Sequence, residues 1–289
     1  MYGPLVITYL FLGGAAAGAL LTISLWSLAL SVKGTSRGPL FHEAFEALGK
    51  RVYATGFVML AFAMTCLLWD LGSPERALLV LLHPHPTVIT FGAYTLTFEA
   101  ATAAVLAAMY LLGKPRLSPP AVMAVEVLCC IGAAATMGYT GVFLYGSGMP
   151  AWHSGALVAL FVFSSLSAGI SAVLLIDWVT RGQALILHAA RPLQKWHLLC
   201  LAAEAAALMA LLAHIANDPG CAAARAALER PDTAAALFVG IGGFGLAVPA
   251  ALESYSLARM KSRAIPAADA ACLIGCFVLR AIVIACGVR

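Results

Sequence analysis

Eight long apolar stretches, joined by short connections, restrict this chain to one kind of environment. A hydrocarbon core of about 30 Å takes about 20 apolar residues per helical crossing. The stretches run roughly from Pro4 to Ser31, Val52 to Trp69, Val88 to Leu112, Ala121 to Leu144, Trp152 to Ile176, Trp196 to Ala216, Thr233 to Ala258 and Ala267 to Val288. Lipid offers no partners to backbone polar groups, so each stretch is expected to be a helix. Composition agrees, since 62% of the 289 residues are hydrophobic and only 10% are charged, against about 25% charge in a soluble domain. The sequence therefore predicts an all-α polytopic membrane protein, with residues 1–289 forming a single integral membrane domain. Two four-helix bundles are expected, 1–146 and 147–289. No connection is long enough for an extramembrane domain, so soluble redox or catalytic chemistry would need a partner chain. Met1 to Gly3 carries no basic residue and the first stretch is too long for a signal-peptide core, so it reads as a retained helix.

Charge gives the orientation. Of 17 Lys and Arg residues, Lys33, Arg37, Lys50, Arg51, Lys114, Arg116, Arg181, Arg191, Lys195, Arg259, Lys261 and Arg263 fall in the connections after helices one, three, five and seven. The other side has only Arg76, Arg225, Arg230 and Arg289, with Arg280 inside the last helix. By the positive-inside rule both termini face outward, into the periplasm if this is a bacterial cytoplasmic membrane. The net charge of +4 follows from this topology, with the bilayer as partner and no need for nucleic acid.

The eight Cys form no CxxC pair, and all but Cys221 lie in or at the ends of apolar helices, where Cys is a small buried hydrophobe. Cys221 sits in an outer loop, where a bridge to Cys286 or Cys66 is open. No metal-ligand set is visible. The run Gly13 to Gly18 in helix one resembles Ser164 to Gly169 in helix five, and helices two and six both end in Asp followed by Pro and Gly. These are faint signs of a parallel four-helix repeat. Small residues such as Gly14-x-x-x-Gly18 let helix backbones approach closely.

Two outer segments could carry chemistry. One is Trp69-Asp70-Leu71-Gly72-Ser73-Pro74-Glu75-Arg76 followed by His83-Pro84-His85-Pro86. Asp70 could equally end its helix, with Arg76 paired to a neighbouring acid. The other runs from Gly138 through Tyr139, Thr140 and Gly141 to Pro150, Ala151, Trp152 and His153. Interfacial aromatics are common for generic reasons. Here, however, Gly138 and Gly141 leave space beside Tyr139, and a phenol with a hydroxyl and a His nearby can hydrogen-bond a quinone carbonyl and exchange protons with it.

Tyr9-Leu10-Phe11-Leu12-Gly13-Gly14-Ala15-Ala16-Ala17-Gly18, Asp70 through Arg76, Tyr139-Thr140-Gly141-Val142 and Pro150-Ala151-Trp152 with the Ser-rich helix after it resemble the NrfD-like family. These are the quinol-binding membrane subunits of polysulfide reductase and related enzymes. The resemblance spans most of the chain. It implies an anchor without haem that binds menaquinone or ubiquinone near the outer face and meets a four-cluster ferredoxin-like iron–sulfur subunit there. Iron–sulfur clusters would lie only in that partner, which serves a molybdopterin or multihaem cytochrome catalytic subunit. Tyr139, Asp70 and His153 are the expected catalytic residues. Tyr139, Thr140, Gly141, Arg76, Trp152 and His153 are expected to line the quinone site, Asp70 and Arg76 also organising the outer loop. The chain departs from the family in its short N-terminus and in a first helix without His or Asn.

Ionisable groups within membrane helices face interiors or wet cavities. Glu99 is expected near the midplane, about 16 Å from the outer side, and Glu204 about 12 Å from the cytoplasmic side. Glu126 and Glu253 lie about one and a half turns from that side, and His197 shares a helix face with Glu204. Glu99, Glu126, His197, Glu204 and Glu253 could relay protons to an outward quinone site, or cap polar helix contacts with Arg280 neutralising one Glu. A dihaem b-type anchor needs paired His at two depths, and none of His42, His83, His85, His153, His188, His197 and His214 falls at a helix centre. A proton-coupled secondary transporter is the rival from another class, supported by the Gly240 to Gly245 run near Pro249.

Overall fold

A computed structural model describes residues 3–33, 39–70, 72, 87–112, 118–179, 191–258 and 265–287. The outer loop with Arg76, His83 and His85 lies outside them, as do Arg37, Lys114, Arg116, Arg181, His188, Arg259, Lys261, Arg263 and Arg289. Among the described residues, eight helices are long and apolar enough to cross a membrane. They are α1 (Pro4–Lys33), α2 (Pro39–Asp70), α3 (Val88–Leu111), α4 (Pro119–Tyr145), α5 (Gly155–Val179), α6 (Arg191–Asn217), α7 (Pro231–Ala258) and α8 (Pro266–Cys286). No strand occurs among the described residues.

α1 to α4 and α5 to α8 are described as two sets, with α1 packed on α5 as broadly as on α2. α1 packs on α2 and α4, and α3 closes that set by touching both; α5 packs on α6 and α8, with α7 against α8 and α6. The sets join where α1 and α4 meet α5. α1 and α5 are the most enclosed of the eight: 72% of the apolar window of α1 and 67% of that of α5 is buried, against 33% for α4 and 17% for α7. Large apolar side chains point outward elsewhere, including Phe62, Trp69, Ile89, Leu199, Met209 and Phe238. A soluble protein rarely exposes so much apolar surface, and in a bilayer lipid covers it.

The seam between the two sets is made by the two similar small-residue runs. A Cβ on Gly18 would strike the Ser165 carbonyl, and one on Gly169 would strike the backbone of Gly18 and Ala19. Each run is therefore the other's packing partner, at backbone contact.

The structure differs from the sequence reading at several points. α6 starts at Arg191, so Arg191 and Lys195 lie in its first turns rather than in a connection, and Lys33 ends α1. α2 starts at Pro39, so Lys50 and Arg51 lie within a helix that extends past the apolar stretch rather than in a connection. Trp152 belongs to a 3₁₀ turn, Pro150–Trp152, ahead of α5. In α7 the residues Ala236–Ala247 form a π-helix before Pro249. Val248 donates its N–H five residues back to Gly243, and Gly245 lies against Gly275 of α8.

Candidate functional site

Tyr139 sits in the core of the first set, 5% exposed. Its ring lies against Gly92 of α3, where any Cβ would collide with it. Phe91 and Phe143 flank it, with ring centroids 6.5 and 6.0 Å away. From α1, Tyr9 brings its phenol within interaction range of both Tyr139 and Glu99. Glu99 on α3 is fully enclosed, with Thr136 of α4 as its polar neighbour. Tyr9 faces Tyr139 and Glu99 faces Thr136 at close range, but the Tyr9 hydroxyl, both Glu99 carboxyl oxygens and the Thr136 hydroxyl are buried without a partner in hydrogen-bonding geometry among the described residues. Buried polar atoms are almost always paired, so four such atoms beside Tyr139 mark a place with hydrogen-bonding capacity for something polar.

The polar side chains continue toward the opposite end of α4. Cys129 is within electrostatic range of Glu99, and Glu126 is within range of Tyr53 and Tyr110. These two phenols stack at 5.2 Å, and Tyr53 shares a 3.0 Å hydrogen bond with Ser24. From Tyr139 to Glu126 the ladder covers about 20 Å of helix.

A second ladder runs inside the other set. His197 Nδ1 lies 2.5 Å from Glu253 Oε1, and His197 Nε2 lies 3.3 Å from the Ser171 hydroxyl and 3.6 Å from Cys272 Sγ. Ser167 donates to Glu204 Oε2 at 2.7 Å and also contacts Cys272 and Cys276. Cys276 donates to the Ser164 carbonyl, and the ladder ends at Arg280.

Arg280 is wholly buried. It donates to the Leu10 carbonyl at 3.0 Å, the Cys276 carbonyl at 2.8 Å, and the hydroxyls of Ser164 and Ser165 at 3.0 Å. The rings of Phe11 and Phe161 lie 5.9 and 5.5 Å from its guanidinium carbon, close enough for cation–π attraction. Arg280 makes no direct ion pair with a Glu among the described residues, although Glu204 lies within its electrostatic range. The guanidinium fork instead ties α8 to α1 and α5 where the sets join.

The five residues expected to form one proton path therefore fall into two groups. Glu99 and Glu126 lie in the first set, while His197, Glu204 and Glu253 lie in the second. The heptad spacing of His197 and Glu204 was informative, because both face the same ladder.

The expected quinone-site residues are also dispersed. Thr140 bonds back to the Met137 carbonyl at 2.8 Å, and Gly141 gives Val158 of α5 room to approach. Trp152 turns into the second set, its indole N–H donating to the Val283 carbonyl at 2.9 Å and its ring covering Gly287. It lines an apolar cavity with Leu211, Ile215, Ile241 and Leu279. His153 stacks on Tyr145 at 4.4 Å, with Nε2 3.4 Å from the phenol oxygen. Tyr145 is six residues past Tyr139, about 120° away around α4, so this His serves a different side of the helix. Asp70 is exposed at the end of α2, where a Cβ on Gly3 would lie 3.5 Å from its carboxylate. Arg76 is outside the described residues. A Cβ on Gly138 would meet nothing within 4 Å, so the space beside Tyr139 comes from Gly92 instead. All eight cysteines are free thiols, so Cys221 is not bridged to Cys286 or Cys66.

Residues 1–289 match the family model for polysulphide reductase, NrfD. The chain belongs to the NrfD family. No curated protein matches it. Membership makes this NrfD chain a multi-pass integral membrane subunit of an oxidoreductase complex, a setting in which NrfD subunits partner iron–sulfur and catalytic subunits.

Sequence reasoning missed Tyr9, Gly92, Thr136 and Asp269 as parts of the NrfD polar interior. Gly92 and Glu99 are seven residues apart and Thr136 and Tyr139 three apart, so helical spacing alone places each pair on one face. Asp269, 3% exposed on α8 and within range of Glu253, was obscured by its position in the helix's first turn.

Replacing the Arg280 fork should disturb the join itself. Arg280→Leu leaves the Leu10 carbonyl and two Ser hydroxyls without their donor, and each orphaned buried group costs about 1–3 kcal/mol. The purified variant is expected to melt well below wild type in detergent. Arg280→Lys should recover only part of the loss, since an ammonium cannot reproduce the planar fork.

Proposed function

We propose that this NrfD chain binds menaquinol or ubiquinol from the bilayer at the Tyr139 cluster and exchanges its electrons with a four-cluster ferredoxin-like iron–sulfur subunit at the outer face. That partner would serve a molybdopterin or multihaem cytochrome catalytic subunit, and the complex would sit in a bacterial cytoplasmic membrane. The observation that carries the reading is a convergence of buried oxygens: Tyr9 lies against Tyr139 and Glu99, Thr136 lies against Glu99, and the oxygens of Tyr9, Glu99 and Thr136 have no partner in hydrogen-bonding geometry among the described residues. A quinone headgroup needs hydrogen-bond donors at its carbonyl oxygens and acceptors for its hydroxyl protons. Phenols can do both, and a carboxylate can take the proton released on oxidation. Asp70, and Arg76 in the loop beyond it, would organise the surface that meets the iron–sulfur partner.

Oxidation of a quinol gives up two electrons and two protons. The electrons leave through the partner, while the protons need groups in this chain. Glu99 is the buried carboxyl closest to Tyr139 along the first ladder and is assigned that task, with Cys129 and Glu126 continuing toward the basic face. The ladder from Arg280 through Glu204 to His197 and Glu253 is a second proton route through the other set.

Glu99→Gln keeps the side-chain shape and removes the ionisable proton. In the complete complex reconstituted into proteoliposomes, it is expected to lower quinol-linked turnover by about 100-fold, the lower end of what a positioned acid or base contributes, and to slow proton exchange in parallel. Full turnover with unchanged proton exchange would refute the assignment.

A further inference from the structure

The end of α6 holds a group of side chains that neither ladder uses. His214 lies in its last turn, Asp218 follows the helix, and the 3₁₀ turn Pro219–Cys221 brings Cys221 back beside them. One ligand atom from each of His214, Asp218 and Cys221 lies within 4.8 Å of the other two. We propose that these three residues bind a borderline-soft divalent cation of the zinc class at the membrane face that carries the chain termini.

The donor set and its surroundings support a built site. Zinc is held by His nitrogen, Cys sulfur and carboxylate oxygen at about 2.0–2.3 Å, so a small inward movement of the three side chains would close around one ion. A thiolate and an imidazole also select this class over magnesium or calcium, which take oxygen ligands. His214 and Asp218 are each held by a contact of their own. His214 Nε2 is 3.2 Å from the Pro150 carbonyl; donating there leaves Nδ1 bare for a metal, the arrangement seen around metal-bound His. Asp218 Oδ1 accepts the Gly220 N–H at 2.8 Å, which fixes the carboxylate and leaves its second oxygen available. Arg225 clamps the same turn by donating to the Ala216 and Asp218 carbonyls at 3.1 and 3.5 Å.

Cys221 is the second, independent sign. Its side chain is 1% exposed, yet its thiol makes no hydrogen bond among the described residues while facing His214 and Asp218. Three protein ligands leave a fourth position for water. Bound there, the ion would join the end of α6 to the turn after it and, through the His214–Pro150 contact, to the connection between α4 and α5.

The test uses the purified full-length chain in detergent, stripped of metal and titrated with Co²⁺ and Zn²⁺. Wild type is expected to bind one equivalent of Co²⁺ with the thiolate charge-transfer absorption of a Co–S bond, to release it to Zn²⁺, and to melt higher with Zn²⁺ present. Cys221→Ser should abolish the absorption. His214→Ala and Asp218→Asn should each weaken binding by more than the roughly 10- to 100-fold that outer partners alone contribute. Cys286→Ser should behave as wild type, and metal-free melting of each variant reports its fold separately. Absence of a one-equivalent Co–S signal in wild type, or its survival in Cys221→Ser, would overturn the proposal. Because no quinone is involved, the outcome is independent of the reading of Tyr139.

Discussion

Gly18→Leu and Gly169→Leu are each expected to yield no stable monodisperse protein after detergent extraction, whereas Gly138→Ala should extract and melt like wild type. The contrast follows from what each new side chain would meet. At Gly18 it meets the Ser165 carbonyl, and at Gly169 it meets the backbone of Gly18 and Ala19. Ordinary overpacking costs about 1–3 kcal/mol because neighbouring side chains can shift. A backbone cannot turn aside, so α1 and α5 would have to separate along their whole seam, a loss in the exceptional range above about 4–5 kcal/mol. That seam also positions Leu10, Ser164 and Ser165 around Arg280, so the damage would spread to both sets. At Gly138 a Cβ meets nothing within 4 Å, and Ala is the better helix former by about 1 kcal/mol. Thermal melting and size-exclusion profiles of the three variants check the expectation. A well-behaved Gly169→Leu protein would mean that the two sets are not held together at this contact.

The same seam shows what the sequence could and could not reveal. Helix number and most helix ends were legible, because each span needs about 20 apolar residues and the breaks between them are polar. The start of α2 was not. Pro39 to Arg51 is too polar to count as a span, yet Pro39 is well suited to open a helix. The similarity of the runs at Gly13 and Ser164 was legible, but their contact was not, since spacing identifies a close-packing face without naming its partner. The site followed the same rule. Tyr139 and Glu99 stood out by type and depth. Their meeting with Tyr9 depends on how α1, α3 and α4 are rotated about their axes, which apolar sequence on all sides does not specify. His153 was read together with Tyr139 because the two are near in sequence, whereas the turn after Tyr145 places its ring on Tyr145.

Tyr139→Phe is expected to lower quinol-linked electron transfer by about 100-fold or more while the complex still assembles. Phe preserves the ring that packs against Gly92, Phe91 and Phe143, so only the hydroxyl is lost. The way the loss divides between kinetic constants tells the roles apart. If the phenol only anchored the quinol, removing it would raise KM and leave kcat nearly unchanged, because binding and transition state would lose the same interaction. A phenol that also passes the proton toward Glu99 contributes most in the transition state, so kcat should carry the larger share. Tyr9→Phe provides the internal comparison. Its hydroxyl lies within range of Tyr139 and Glu99, but in the proposed order it assists the transfer without receiving the first proton, so its effect should be smaller and should largely disappear in a Glu99→Gln background. Wild-type rates in Tyr139→Phe would refute the quinol assignment. Independent, additive losses in Tyr9→Phe and Glu99→Gln would separate those two residues into unrelated roles, since groups that share one transfer do not add.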